Sequence, residues 1–350
     1  MGPIERTTLV FQGHAADRIP FIPSIYEHGA ALLGKTPSEV SRSAELMADA
    51  AVAAFEVYEH DLVTVGIDIY NIEAEALGCR VRYHDTGTAI PGVISHPLME
   101  QTTLDAGAVG LPAAGTSDNR LDLVVDACRR VMETIGTDVW VYGCMGGPFS
   151  QAVELRGFDN LIGDMVDHPA YVHDLMRKTT AFSVTHAARL SKTGVGVNIY
   201  ESWATLPLID PGIFEEFVVP YERAIVESIR KGGYRTPPPA IIMGGNVTEL
   251  VHFFVETGTA LIAADYNVDF ARMRRSLTER QSDIVVRGCV DPKLIEAGEW
   301  GPVQRAVELL AEKSQGMVRF VWGCGCVTYH TPAPHLLRFK DVCLAQPRGA

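Results

Sequence analysis

A parallel (β/α)8 barrel is the fold the sequence predicts, and three observations carry it. Short apolar runs alternate with longer segments of helical period. Eight such runs occur, enough to close a ring. The Gly-rich dinucleotide fingerprint that normally follows the first strand of a doubly wound sheet is missing. The chain has 350 residues, room for a barrel of about 250 residues with insertions. No Ser/Gly/Pro-rich linker or block of charge divides it. Residues 1–350 are therefore expected to form a single domain, an α/β barrel with an N-terminal extension and an insertion after the second strand.

The elements follow in order. Pro20 to Ile25 reads as the first strand and ends at Tyr26-Glu27-His28-Gly29. Thr36, Pro37 and Glu39 then have the pattern of an N-cap, a first-turn proline and a capping box, which predicts a helix running to about Tyr58. Leu62 to Ile67 is the second strand, ending at Asp68-Ile69-Tyr70. An insertion with a β-like stretch around Val81 to His84 comes next. Leu121, Val124, Val125, Cys128, Val131, Met132 and Ile135 share a helical face. Val139 to Tyr142 is the third strand, and a Gly-rich turn from Gly143 to Pro148 closes it. A helix over roughly 169–193 leads to the fourth strand, Val195 to Tyr200, ending at Glu201. Asp210-Pro211 opens a helix whose apolar face includes Ile213, Phe214, Phe217, Val218, Tyr221 and Ile225. The last four strands are Ala240 to Met243, Ala260 to Ala264, Ile284 to Arg287 and Phe320 to Trp322.

Composition narrows the partners. Hydrophobic residues make up 47% and charged residues 21%, as in an ordinary globular protein. A formal net charge of −13 with no local basic stripe argues against nucleic acid and anionic membranes. No apolar run approaches the ~20 residues that span a bilayer, and Met1 to Arg6 lacks the shape of a secretory leader. Seven scattered cysteines suit reduced thiols better than a disulfide framework. A cytoplasmic protein is the expectation.

In such barrels the reacting groups sit at the C-terminal ends of the strands. Those ends present His28, Asp68, Tyr70, Cys144, Glu201, Asn246, Asp265, Asp291, Cys324, Cys326 and, slightly later, His330. Glu201, directly after an apolar strand, is the foremost candidate carboxylate. Asp265 and Tyr70 are further candidates for acid catalysis. Tyr26, Tyr70, Trp203 and Met243 are expected to wall an apolar ring, and His28, Asn246 and Asp291 to touch substrate. Asn246 and Asp291 also suit a loop and a helix cap. Cys324 and Cys326, two apart on a strand, would both face the mouth.

Several segments stand in a characteristic order. They are Arg18-Ile19-Pro20, Glu73-Ala74-Glu75-Ala76-Leu77-Gly78, Gly146-Gly147-Pro148-Phe149, Phe214-Glu215-Glu216-Phe217-Val218-Val219-Pro220-Tyr221, Gly245-Asn246-Val247-Thr248, Gly288-Cys289-Val290-Asp291-Pro292 and Gly323-Cys324-Gly325 before Thr331-Pro332. In this the chain resembles the uroporphyrinogen decarboxylase superfamily over nearly its whole length. It resembles the decarboxylase proper less well. That branch carries an Arg-rich segment after the first strand and a Gly-His-Gly near its end. Here the corresponding residues are Tyr26-Glu27-His28-Gly29 and Cys324. The Gly-Cys-Gly form is similar to the corrinoid methyltransferases.

The resemblance implies methyl transfer to or from a corrinoid. The chain shows no Asp-x-His-x-x-Gly segment, so the corrinoid is expected to belong to a partner protein. A homodimer is expected by the same analogy. Thiol-methylating relatives hold zinc through His-x-Cys after the fifth strand and a Cys after the eighth. This chain has Ile242 and Gly244 at the first two positions. One reading keeps zinc on a different set, Cys324 and Glu201 with Cys326, Cys144 or His330, and demethylates a methyl ether or amine. Glu201 and Glu216 match the spacing of the O-demethylating relatives, but Pro237 takes the place of their histidine. A second reading is metal-free, with Glu201, Asp265 or Tyr70 as the acid. Decarboxylation without a cofactor and a non-catalytic small-molecule binder are the alternatives from other classes.

Overall fold

The computed structural model describes residues 1–101, 105–108 and 120–347. Eight strands form the barrel: β1 (Ser24–Ile25), β2 (Leu62–Val65), β3 (Trp140–Gly146), β4 (Gly196–Tyr200), β5 (Ala240–Ile242), β6 (Leu261–Ala264), β7 (Val285–Val290) and β8 (Phe320–Cys324). Strands β2 to β5 pair in parallel, as do β6 to β8. Backbone bonds complete the ring. Ala260 N donates to Pro239 O (3.0 Å) between β5 and β6, and Asp61 N donates to Phe21 O (2.9 Å) between β1 and β2. Ile22 N donates to Trp322 O (2.7 Å), and Cys326–Val327 pairs in parallel with β1.

Alternation along each strand divides the apolar residues into two clusters. Val63, Val65, Val141, Met145, Val197, Ile199, Ile241, Met243, Ile262, Val286, Val290 and Trp322 point outward and pack against the helices. Ile22, Tyr26, Leu62, Tyr142, Cys144, Tyr200, Ile242, Ala263, Val285, Cys289 and Val321 fill the barrel itself. A parallel strand buried on both faces is apolar at nearly every position, which is why the sequence shows these strands as continuous runs.

The predicted strands are in place, with differences at their ends. The Gly-rich segment expected to be a turn is the second half of β3, where Gly143 faces Cys128, Leu190 and Val195 and a side chain would be crowded. Likewise β7 continues through Gly288 and Cys289 to Val290, so Cys144 and Cys289 lie within strands.

The helix expected from Thr36 to Tyr58 is two. The capping box at Thr36 is present, but a second N-cap, Ser43, accepts from Leu46 N and starts a new helix at Ala44. The helix from Asp210 is similarly divided. The break falls at Val218, and Pro220, in the first turn of the second helix, lacks the N–H that would carry the ladder across, so Pro211–Phe217 and Val219–Lys231 are separate. The insertion carries an antiparallel pair, Arg80–Arg82 with Gly92–Ser95. Arg120 ties it down by pairing with buried Asp68 and with Glu75. The N-terminal helix Pro3–Phe11 lies near the start of the barrel strands, with Phe11 edge-on to Trp140 and Arg6 paired to Asp61. Among the described residues no helix is long and apolar enough to cross a membrane.

Candidate active site

The upper layer of the barrel interior is polar. Tyr26, just past β1, and Tyr200, at the end of β4, meet hydroxyl to hydroxyl at 2.7 Å with their rings edge to face. Cys144 on β3 donates its thiol to the Tyr200 hydroxyl at 3.7 Å. Burial pushes both phenols well above their ordinary pKa, so both keep their protons. Cys289 on β7 stays a thiol, its pKa pushed up to about 11 by burial.

Arg287, two residues earlier on β7, is 6% exposed. Arg287 and Cys289 share the inward face of β7, and the inner cluster there includes Tyr26 and Tyr200, which lie near enough to act on the guanidinium's charge. A side chain at 323 would force the stem of Arg287 to move, because a Cβ there would lie 2.7 Å from Arg287 Cγ. The glycine of the strand-eight Gly-Cys-Gly thus makes room for an arginine from the neighbouring strand.

The rim adds Cys326, the one exposed cysteine among the described residues. Its thiol pKa is raised to about 12 by the walls around it and by Glu27. Asp265 accepts from Gly245 N (3.0 Å) and Tyr266 N (2.9 Å). Tyr70 lies beside this group with φ 75°, a left-handed conformation uncommon for a tyrosine. Its hydroxyl accepts from Ser202 N at 2.9 Å.

Of the residues expected at the site, Tyr26, Tyr70, Asp265 and Cys326 therefore reach the mouth, and several others do not. Glu201 is fully buried, its oxygens accepting from Ser150 N (2.5 Å) and Phe149 N (3.3 Å) at the start of the helix Pro148–Arg156. Its second neighbour is buried Glu222, and burial raises the pKa of both carboxyls. Glu201 is a helix-capping carboxylate here, not a mouth acid. Glu216 lies on the surface against His173.

Cys324 is fully buried in the outer cluster. Gly325 breaks β8, so Cys324 and Cys326 do not share a face as their spacing suggested. His28 is spent on Tyr58 Oη (2.6 Å) and Thr328 O (3.2 Å). Met243 packs in the outer core, and Trp203 donates to Glu154 and stacks on Phe158. Asn246 holds Thr248, and Asp291 caps the helix Pro292–Ala297. These two take the supporting role, with their oxygens committed locally. His330 is exposed and meets Thr88 in the insertion.

Zinc needs three or four donors converging at about 2.0–2.3 Å. Among the described residues no three His, Cys, Asp or Glu side chains gather in that way. The expected set of Cys324, Glu201, Cys326 and His330 is dispersed for the reasons just given, so it does not fit the metal.

Sequence reasoning missed Tyr200 and Arg287. Both sit inside apolar strands, not after them. A single charged residue within Ile284-Val285-Val286-Arg287-Gly288-Cys289-Val290 was the available signal.

The family model for uroporphyrinogen decarboxylase matches residues 3–344. The chain belongs to this family. A methylcobamide:CoM methyltransferase, MtbA, of Methanosarcina acetivorans is 25% identical over 97% of this chain and 96% of its own length. Its counterpart in Methanosarcina mazei is 26% identical over 87% and 85%. A uroporphyrinogen decarboxylase of Anaeromyxobacter dehalogenans is 27% identical over 78% and 77%. Among solved structures, a methyltransferase from Methanosarcina mazei superposes with a TM-score of 0.82 at 18% identity, covering 98% of both chains. That match establishes the barrel fold of the family.

Proposed function

We propose that this chain is a corrinoid-dependent methyltransferase, moving a methyl group between a small molecule in the barrel mouth and the corrinoid of a partner protein. The observation that carries the reading is the end-to-end match to the methylcobamide:CoM methyltransferase of Methanosarcina acetivorans, over 97% of this chain and 96% of that one. The decarboxylase of Anaeromyxobacter dehalogenans aligns over 78% and 77%. The entrance favours the same reading. After the first strand stand Tyr26, Glu27 and His28, where the decarboxylase resemblance calls for arginines to hold several carboxylates.

A corrinoid brought over the mouth supplies the cobalt that exchanges the methyl group. The chain's own part is alignment, exclusion of water and control of charge at the atom that loses or gains the methyl. In the demethylating direction the bond from methyl carbon to heteroatom breaks and the heteroatom keeps the electron pair. The Tyr70 hydroxyl, which accepts from Ser202 N and keeps its own proton because burial raises its pKa, is the donor to that atom in this reading. No step is assigned to zinc, since the expected donors do not converge.

The test supplies reduced free cobalamin as a surrogate for the partner's cofactor, together with small methyl ethers, methylamines and methyl thioethers. Enzyme-dependent appearance of the methylated corrinoid spectrum is expected with one donor class. Tyr70→Phe should slow transfer by roughly a hundred-fold or more, the size of a lost proton donor. Release of carbon dioxide from uroporphyrinogen, with no methyl transfer from any donor, would replace this reading with the decarboxylase one.

A further inference from the structure

A buried guanidinium normally has a carboxylate beside it, because an isolated charge is costly to remove from water. Arg287 has none. It makes no ion pair and no side-chain hydrogen bond to an oxygen among the described residues, although it is 6% exposed. Its Nε is sealed and unpartnered. Cys289, two residues on along the same face of β7, holds its proton. Gly323 has no side chain, and the space so left is taken by the stem of Arg287. The fold thus gives up a strand side chain in order to keep an unpaired cation in its barrel.

The phenols beside it point the same way. Tyr26 and Tyr200 share one hydrogen bond, so two hydroxyl protons have only one acceptor between them. One O–H remains for a ligand.

We propose that Arg287 anchors a singly charged oxyanion, a carboxylate or sulfonate, on the small molecule that enters the mouth, with the free hydroxyl of the Tyr26–Tyr200 pair as its second donor. The proposal rests on the mouth being the substrate site and names the charge class that the site accepts. The planar fork of the guanidinium suits two oxygens of such a group. A single negative charge is favoured over two. Half-buried Glu27 and Asp265 stand around Cys326 at the rim, and the chain carries a formal net charge of −13.

Calorimetric titration of the full chain, without corrinoid, tests the anchor. The probes are methoxyacetate and methanesulfonate, with methoxyacetamide as the neutral isostere and malonate as the dianion. At least one monoanion should bind saturably, and methoxyacetamide and malonate should bind at least ten-fold more weakly than that monoanion. Which monoanion binds distinguishes carboxylate from sulfonate. Arg287→Met should lower monoanion affinity by at least ten-fold, and Arg287→Lys should retain part of it. The melting temperature of Arg287→Met should be no lower than that of the parent, since only an unpaired charge is lost. The bound anion should also slow alkylation of Cys326 by iodoacetamide.

The comparison of acid with amide uses the unaltered protein, so it decides the matter even if a variant folds poorly. No saturable binding of either monoanion, equal affinity for the amide, or unchanged binding in a folded Arg287→Met would each overturn the proposal. Anion binding with no methyl transfer would leave the anchor standing and count against the methyltransferase reading alone.

Discussion

Glu201 and Glu222 show how one buried pair is arranged around a proton. Both are buried, and a Cβ at residue 147 would collide with both carboxyls, so Gly147 is needed for them to approach the helix start. Glu201 accepts two backbone N–H groups that the first turn of the helix Pro148–Arg156 leaves unpaired. These bonds favour its ionised form, whereas the buried Glu222 oxygens have no hydrogen-bond partner and burial beside Glu201 raises its pKa well above the ordinary value. The proton therefore resides on Glu222, the carboxyl without backbone donors. Glu201→Gln removes the charge from the capped helix and should destabilise the protein by about 1–3 kcal/mol, as for a hydrogen bond to a charged group. Glu222→Gln keeps a neutral donor and should cost less than about 1 kcal/mol. Urea midpoints at pH 7 check the order, and a larger loss in Glu222→Gln would place the proton on Glu201.

At the scale of the element, β7 and β8 act as a pair. Val321 pairs with Arg287 and Gly323 with Cys289, so the two strands hold the guanidinium and the thiol on adjacent inward positions. Gly323→Ala would bring a methyl to 2.7 Å from Arg287 Cγ and 2.9 Å from Ile22 O. A loss of roughly 1–3 kcal/mol is expected, the usual range for overpacking. In an Arg287→Ala background the side-chain part of the clash is gone, so the loss should be smaller, with the carbonyl contact remaining. A double-mutant cycle read by denaturant unfolding reports the coupling. Equal losses in both backgrounds would mean that the carbonyl alone excludes a side chain at 323.

This pair also shows where the sequence was legible. Apolar runs marked all eight strands because a barrel strand is buried on both faces. The same uniformity hid which face each residue takes. Arg287 and Tyr200 were passed over because they lie within runs, and inward or outward orientation depends on register with neighbours far away in the chain. Cys324 and Cys326 were given a common face by simple alternation, which Gly325 interrupts. Glu201 looked like an active-site acid because it ends a strand, whereas its carboxylate caps the helix that follows the neighbouring strand β3.

Across the whole molecule, the buried titratable groups set opposing pH slopes. Glu73, which follows β2 and accepts from Gly146 N at 3.1 Å, has its pKa raised from 4.5 to about 7, chiefly by burial. Between those values the folded chain binds more protons than the unfolded one, so this contribution is fully present below about 4.5 and is lost as pH rises through 7. His60 and His186 are lowered from 6.5 to about 3 by burial. They stay neutral in the fold while the unfolded chain takes up protons, so their contribution is present above about 6.5 and is lost as pH falls towards 3. The two effects overlap in mildly acidic solution, and substitution of one carboxyl separates them. Glu73→Gln keeps an acceptor for Gly146 N and cannot ionise, so it removes the first slope and leaves the second. Relative to the parent it should gain about 3 kcal/mol between pH 4.5 and pH 8, since each unit of pKa shift corresponds to about 1.4 kcal/mol. Urea unfolding of both proteins at the two pH values measures that gain. A difference that stays constant with pH would mean that Glu73 ionises in the fold as readily as in the open chain, and that the layer between β2 and β3 is wetter than its packing implies.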